Sequence, residues 1–133
     1  MSQENVEVVG QIVDAFNRRD LADTTRQFDP EIEWTPAGPA AVERSVYRGI
    51  GEVSEALAAG WEAWELFQLE EREVRDLGDS ALWLGRAQLR GDASQVEVDQ
   101  EFAVQFLFAQ GRVTQMHGYV SWQDALEAAG LSE

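Results

Sequence analysis

The segment of residues 14–21 constrains the fold of this chain more than any other, because it combines the end of one helix with the start of another. Asn17 tolerates the left-handed backbone that often ends a helix, and Asp20 can cap the next helix by accepting a hydrogen bond from its first turn. Arg18 and Arg19 suit the negative end of a helix dipole. The segment therefore predicts two consecutive helices joined by a tight polar turn.

Apolar residues recur at helical spacing on both sides of this turn. The period predicts an amphipathic helix over residues 3–17, with Ser2 as a plausible cap, and a short helix over residues 21–28 that ends before Asp29-Pro30. A third helix follows Gly49 and has an aromatic end at Trp61 and Trp64. A last helix over residues 122–129 starts at a capping serine and ends at a glycine.

The second half of the chain changes to a period of two, which is typical of strands. Strands are predicted at 66–77, 80–90, 96–109 and 112–121, and a short one at 32–35. Their connections are too short to hold crossover helices, so neighbouring strands should be antiparallel. We therefore predict one α+β domain over residues 1–133, with helices covering one face of the sheet and a long loop at 36–48.

Composition restricts the function. Subtracting 25 acidic from 10 basic residues gives a net charge of −15, which disfavours binding to nucleic acid or to anionic membranes. The chain has no cysteine and one histidine, which excludes thiolate chemistry and multi-histidine metal sites. We expect neither a cofactor nor a metal. No signal peptide or apolar span is visible, so a cytoplasmic location is the expectation.

The chain resembles the nuclear transport factor two-like superfamily and, within it, the SnoaL-like group related to polyketide cyclases and ketosteroid isomerases. The residues that carry the resemblance are Ala15–Leu21, Asp29–Trp34, Tyr47–Gly49, Tyr119 and Ala125–Leu131. The resemblance implies a cone-shaped α+β barrel, with a curved antiparallel sheet on three N-terminal helices and a short C-terminal helix. It also implies a cavity on the concave sheet face and commonly a homodimer through the convex face.

The superfamily includes enzymes and domains without catalysis, so the fold does not fix the activity. Ketosteroid isomerases hold a tyrosine, a base and an aspartate. The resemblance places the tyrosine position at Ile12, the base position at or next to Trp34 and the aspartate position near Val104, and these residues lack the required proton chemistry. Where limonene epoxide hydrolases hold two aspartates, it places Gln88 and Gly118. Both of these activities are therefore disfavoured.

His117 and Arg86 are the remaining catalytic candidates. His117 could act as a general acid or base, or be a structural histidine. A two-residue loop at Gln110-Gly111 would place it opposite Val104 on the apolar face of residues 98–108, whereas a three-residue loop would place Met116 and Gly118 there. We favour His117 on the outer face, near a dimer contact.

Arg86 could hold an oxyanion or carboxylate bidentately if it points inward. The alternative is a surface or interface arginine paired with an acid such as Glu71 or Glu73.

Aromatic residues are the strongest indication of a ligand site, although such residues are also typical of a hydrophobic core that binds no ligand. The sequence predicts a pocket for a small hydrophobic molecule, used either for acid-base catalysis of an isomerase, cyclase or hydrolase type or for binding or dimerisation without catalysis. The predicted lining is Ile12, Phe16, Trp34, Trp61, Trp64, Phe102, Val104, Phe106 and Met116.

Overall fold

A computed structural model describes residues 2–38, 41, 44–91 and 96–131 of the chain. Part of the predicted loop at 36–48 lies outside these residues. The predicted α+β fold is confirmed. The helices and strands are α1 Ser2–Asn17, α2 Leu21–Thr24, β1 Phe28–Thr35, β2 Tyr47–Arg48, α3 Gly49–Ala63, β3 Leu66–Asp76, β4 Ser80–Arg90, β5 Glu97–Ala109, β6 Arg112–Tyr119 and α4 Trp122–Ala128.

The strands form one sheet in the order β2-β1-β6-β5-β4-β3. The predicted antiparallel pairing of successive strands from β3 through β6 is confirmed. β1 pairs antiparallel with β2 but parallel with β6, which brings the N-terminal half of the chain into the same sheet as the meander. Among the described residues, no helix is both long and apolar enough to cross a membrane.

The turn after α1 differs in one respect from its prediction. Asn17 is the last residue of α1, and the left-handed residue is Arg19, with a φ of 58°. The predicted cap is confirmed, because the backbone N–H of Asp23 donates to Oδ1 of Asp20 at 3.0 Å. Arg19 donates to three backbone carbonyls, those of Trp61, Trp64 and Glu65, at 2.7, 2.8 and 2.9 Å. The turn thus holds the C-terminal end of α3, where carbonyls lack helical partners.

The second helix was predicted too long. It ends at Thr24, and Phe28 already belongs to β1, where it is 2% exposed and pairs with Val113 of β6. Pro30 lies inside this strand, at a shift in the register of β1 against β6. A proline is tolerated there because no ladder hydrogen bond is required of it. Pairing with a distant strand therefore overrides the local helical pattern.

The two faces of the sheet carry separate cores. The inner face packs on α1 and α3, through residues such as Trp83, Val104 and Phe106. On the outer face, Leu82 and Leu84 pack against α4. The N-terminal helices therefore cover one face, as predicted, while the C-terminal helix lies on the other.

A β-bulge at Arg72 positions α4. The register of β3 against β4 shifts there by one residue. The indole Nε1 of Trp122 donates to the backbone oxygen of Gly85 at 2.8 Å, and the Arg72 guanidinium lies 4.5 Å from the centre of the Trp122 ring. A hydrogen bond and a cation–π contact thus attach the start of α4 to the outer face.

Candidate functional site

A cavity of about 200 Å³ lies between the inner face of the sheet and helices α1 and α3. Its floor is built from alternate residues of the strands, because successive side chains of a strand point to opposite faces. Small residues such as Ala87 on β4 and Ala56 and Gly60 on α3 leave the space open. Ala59 and Ala63 line the cavity and are also exposed, which places an opening beside the C-terminal part of α3.

Eight of the nine predicted pocket residues line this cavity, namely Ile12, Phe16, Trp34, Trp64, Phe102, Val104, Phe106 and Met116. The ninth, Trp61, lies behind the lining. It is 7% exposed, and its ring lies 5.3 Å from that of Phe16. Its indole Nε1 is buried without a hydrogen-bond partner in the described part of the chain.

Aromatic rings form two walls of the cavity. Phe16 and Phe67 meet edge to face with centroids 5.1 Å apart, and Trp34 stacks on Tyr47 at 5.4 Å and 29°. The Arg44 guanidinium lies 5.4 Å from the centre of the Tyr47 ring. Such walls present flat apolar surfaces at fixed orientations.

Sequence reasoning missed several lining residues. Phe67 and Leu69 of β3 and Trp83 and Ala87 of β4 alternate on the inner face, and this alternation was readable in the sequence. The sequence did not show which side of each strand faces the helices. In β4, for example, both sides begin with apolar residues.

Polar side chains are rare in the lining. Besides the indole N–H groups of Trp34, Trp64 and Trp83, the described lining has three polar side chains, Thr24, Tyr47 and Gln100, and none of the described lining residues is an acid, an arginine or a histidine. The Thr24 hydroxyl donates to the backbone oxygen of Asp20 at 2.6 Å. The interior can therefore hold an apolar body, but it offers few groups for proton transfer.

The position of His117 depends on a turn and a bulge together. Gln110 and Gly111 form a two-residue turn, with φ values of 55° and 78°, and the flanking residues pair across it. Thr114 is then an extra residue in β6, so that Phe106 faces Met116 instead of Gln115. The turn is the two-residue alternative, but the bulge produces the register expected from the three-residue one.

His117 consequently lies on the outer face, in the direction favoured from the sequence. It pairs with Gln105 of β5, and its Nε2 lies 3.0 Å from Oε1 of Gln115. On the inner face of the same strand, Met116 lines the cavity. Gly118 lies beside it, where a Cβ would come within 3.0 Å of the backbone nitrogen of Ala37.

Arg86 also lies on the outer face, together with Gln88. Its Nε donates to Oδ1 of Asp99 at 2.7 Å, and its Nη2 donates to the Asp99 backbone oxygen at 3.0 Å. The partner is therefore neither Glu71 nor Glu73, and Glu73 pairs with Arg75. His117 and Arg86 both point away from the cavity, so their position gives no support to the prediction that they are catalytic.

Sequence comparison identifies the family. A family model of the SnoaL-like domain matches residues 9–116, which is more than half of the chain. This chain belongs to the SnoaL-like domain family. No curated protein sequence matches the chain significantly.

Solved structures with this SnoaL-like fold are similar over nearly their full length. TerC, crystallised with polyporic acid, has a TM-score of 0.78 at 18% identity and covers 89% of this chain and 92% of its own. An NTF2-like protein of unknown function from Burkholderia pseudomallei has a TM-score of 0.79 at 19% identity, with 96% of both chains covered.

A third solved structure is a protein with a ketosteroid isomerase-like fold from Catenulispora acidiphila, in complex with trimethylamine. It has a TM-score of 0.76 at 13% identity and covers 95% of this chain and 94% of its own. At these identities the likeness shows the fold alone.

Proposed function

We propose that this SnoaL-like protein binds a small, flat, largely apolar molecule in the cavity between the inner sheet face and α1 and α3. The observation that carries the proposal is the lining, which is aromatic and aliphatic and has no charged side chain among the described residues. Pockets of this kind gain affinity from apolar burial and orient the ligand with a few polar groups.

The size of the cavity limits the ligand. An engineered apolar cavity of about 150 Å³ is known to hold benzene. The 200 Å³ found here therefore suits a molecule of one or two small rings. Trp34 and Phe102 offer ring faces on which such a molecule can stack, and stacking favours flat ligands over branched chains.

Two proteins of the same fold were crystallised with small organic molecules, one with polyporic acid and one with trimethylamine. They support small-molecule binding by analogy of fold. Their ligands differ in charge and shape, so the ligand of this chain has to be inferred from its own cavity.

Binding is favoured here over acid-base catalysis of an isomerase, cyclase or hydrolase type. A general acid or base must come within hydrogen-bond reach of the group that it protonates. His117 and Arg86 lie on the outer face, with Gln115 and Asp99 as their partners. Ile12, Trp34 and Val104 stand at or near the positions where ketosteroid isomerases hold their catalytic groups. None of these three side chains can give up or take up a proton at neutral pH.

Isothermal titration calorimetry with indane, a bicyclic hydrocarbon, tests the proposal. We expect measurable binding to the wild type and at least tenfold weaker binding to Ala59→Trp, which narrows the opening beside α3. Glu62→Trp adds the same side chain at an exposed position outside the lining and should bind like the wild type. His117→Gln should also leave binding unchanged. Lack of binding to the wild type, or equal binding to Ala59→Trp, would contradict the proposal.

We also propose a homodimer through the outer face of the sheet beside α4. Leu107 on β5 and Tyr119 on β6 are partly buried apolar or aromatic residues on this face, and His117 lies two residues before Tyr119 on β6. Sedimentation equilibrium should give twice the chain mass for the wild type. Leu107→Arg should shift the protein to monomer, while Ile50→Arg, an equal charge change on α3, should not.

A further inference from the structure

We propose that Gln100 determines the specificity of the cavity by hydrogen bonding to a neutral polar group on the ligand. The ligand class is then a small cyclic ketone or alcohol, with a flat apolar ring system and one uncharged oxygen. This inference rests on the proposed binding function and names the chemistry that the same cavity selects.

Gln100 lies on the floor of the cavity. It pairs with Ala87 of β4, which in turn pairs with Leu69 of β3, and all three residues line the cavity. Since Ala87 has only a methyl side chain, it does not cover the neighbouring amide. Gly38, which follows β1, lies on the other side of the Gln100 amide, because a Cβ added at this glycine would be 3.9 Å from Gln100 Nε2. The amide thus lies between an apolar floor and the segment after β1.

The Gln100 amide has no hydrogen-bond partner among the described residues, although it can donate twice and accept through its oxygen. Three other glutamines of the sheet have partners, whereas Gln88, on the outer face, has none among the described residues either. Gln68 donates to the Asn17 backbone oxygen at 3.1 Å, Gln105 donates to Ser80 Oγ at 3.4 Å, and Gln115 is paired with His117.

The amide is half-buried, so water reaches it in the free protein, and a ligand oxygen that accepts its hydrogen bond would replace that water. Trp83 also lines the cavity, and its buried indole Nε1 has no partner in the described part of the chain, but an indole can only donate. Gln100 can both donate and accept, so it suits a ketone and an alcohol alike. The Thr24 hydroxyl, by contrast, already donates to a backbone oxygen.

The charges around the cavity favour a neutral ligand. A carboxylate would enter a lining that contains no arginine among the described residues, in a protein of net charge −15. The arginine at the Tyr47 wall, Arg44, is paired with Glu52 at 2.9 Å. Burying an unpaired charge costs far more than burying a carbonyl that accepts one hydrogen bond. An ammonium group would find no carboxylate in the described lining.

Three ligands with one ring skeleton test this inference by calorimetry, namely indane, 1-indanone and 1-indanecarboxylate. The readout is the dissociation constant of indane divided by that of 1-indanone. This ratio is compared between the wild type and Gln100→Leu. One hydrogen bond of ordinary net strength changes this ratio by about three- to tenfold. We expect the ratio to fall by that factor in Gln100→Leu, while the affinity for indane stays equal or improves. We also expect 1-indanecarboxylate to bind the wild type more weakly than 1-indanone does.

Gln88→Leu is the matched control, because Gln88 lies on the outer face of the neighbouring strand and should leave the ratio unchanged. Gln100→Met gives a second apolar replacement if Gln100→Leu has an altered thermal midpoint. An unchanged ratio in both Gln100 variants overturns the inference while indane binding, and its loss in Ala59→Trp, still support the cavity. If none of the three ligands binds the wild type, the proposed function is wrong and the role of Gln100 is overturned with it.

Discussion

The side-chain amide of Asn17 forms two hydrogen bonds with the backbone of Leu69. Its Nδ2 donates to the Leu69 oxygen at 2.9 Å, and the Leu69 N–H donates to its Oδ1 at 2.8 Å. Because β3 is an edge strand of the sheet, the amide supplies the partner that a further strand would have supplied. The end of α1 is thereby attached beside a residue that lines the cavity.

Replacing Asn17 with alanine should lower the free energy of unfolding by about 1–3 kcal/mol, because both backbone groups of Leu69 lose their partner. Asn17→Asp keeps an acceptor for the Leu69 N–H but has no donor for the Leu69 oxygen. Its free energy of unfolding should therefore lie between those of the wild type and Asn17→Ala at best. Urea denaturation followed by far-UV circular dichroism measures both. A free energy for Asn17→Ala within 0.3 kcal/mol of the wild type, roughly the error of such a comparison, would rule out a stabilising role.

Gly85 should not tolerate a side chain. A Cβ there would overlap the backbone oxygen of Glu70 and lie 2.5 Å from Cη2 of Trp83. Gly85→Ala should therefore cost about 3 kcal/mol or more, since backbone atoms on a paired strand cannot move away cheaply. Gly10→Ala is the matched control, because nothing lies within 4 Å of its Cβ position in α1. It should stabilise the protein by about 0.5–1 kcal/mol, and thermal unfolding of the pair should show opposite signs.

The turn between β5 and β6 contains a correctable strain. Gln110 has a φ of 55°, a region where asparagine is favoured over glutamine, and Gly111 follows at 78°. Gln110→Asn should raise the free energy of unfolding by about 0.5–1 kcal/mol. Gly111→Ala should lower it, since alanine resists the same conformation. Chemical denaturation checks both, and a destabilised Gln110→Asn would contradict the assigned turn.

The cap of α2 should make stability depend on pH in acid. The Asp23 backbone N–H, followed by the Arg18 side chain, lowers the pKa of Asp20 below its ordinary value of 3.8. A carboxyl whose pKa is lower in the folded state stabilises the fold above its ordinary pKa and loses that contribution as pH falls through the folded value.

The thermal midpoint of Asp20→Asn should therefore lie below that of the wild type at pH 6, and the two should converge below about pH 4. Asparagine keeps the capping oxygen, so the comparison isolates the charge. Glu62→Gln, which removes an exposed charge from α3, should show no such convergence. A constant difference between Asp20→Asn and the wild type from pH 6 to pH 3 would show that the charge does not act.

Several features of the candidate site could be predicted because they depend on neighbouring residues. The alternation of residues 98–108 correctly separated Phe102, Val104 and Phe106, which line the cavity, from Asp99 and Glu101 on the outer face. The proposed role of Gln100 and the position of Trp61 behind the lining could not be predicted in this way. Whether an amide finds a partner, and whether an indole faces a space or the core behind it, depends on elements that are distant in the chain.

The sequence by itself determined the α+β fold, the turn after α1 with its cap at Asp20, and the antiparallel meander, because caps, turns and periods arise from residues close in the chain. The tertiary structure decided where the chemistry lies. One extra residue at Thr114 changes the register of β6, turning Met116 toward the cavity and His117 away from it. A shift of one residue exchanges the two faces of a strand, and it is set by pairing between strands and by packing on the helices, neither of which a local pattern contains.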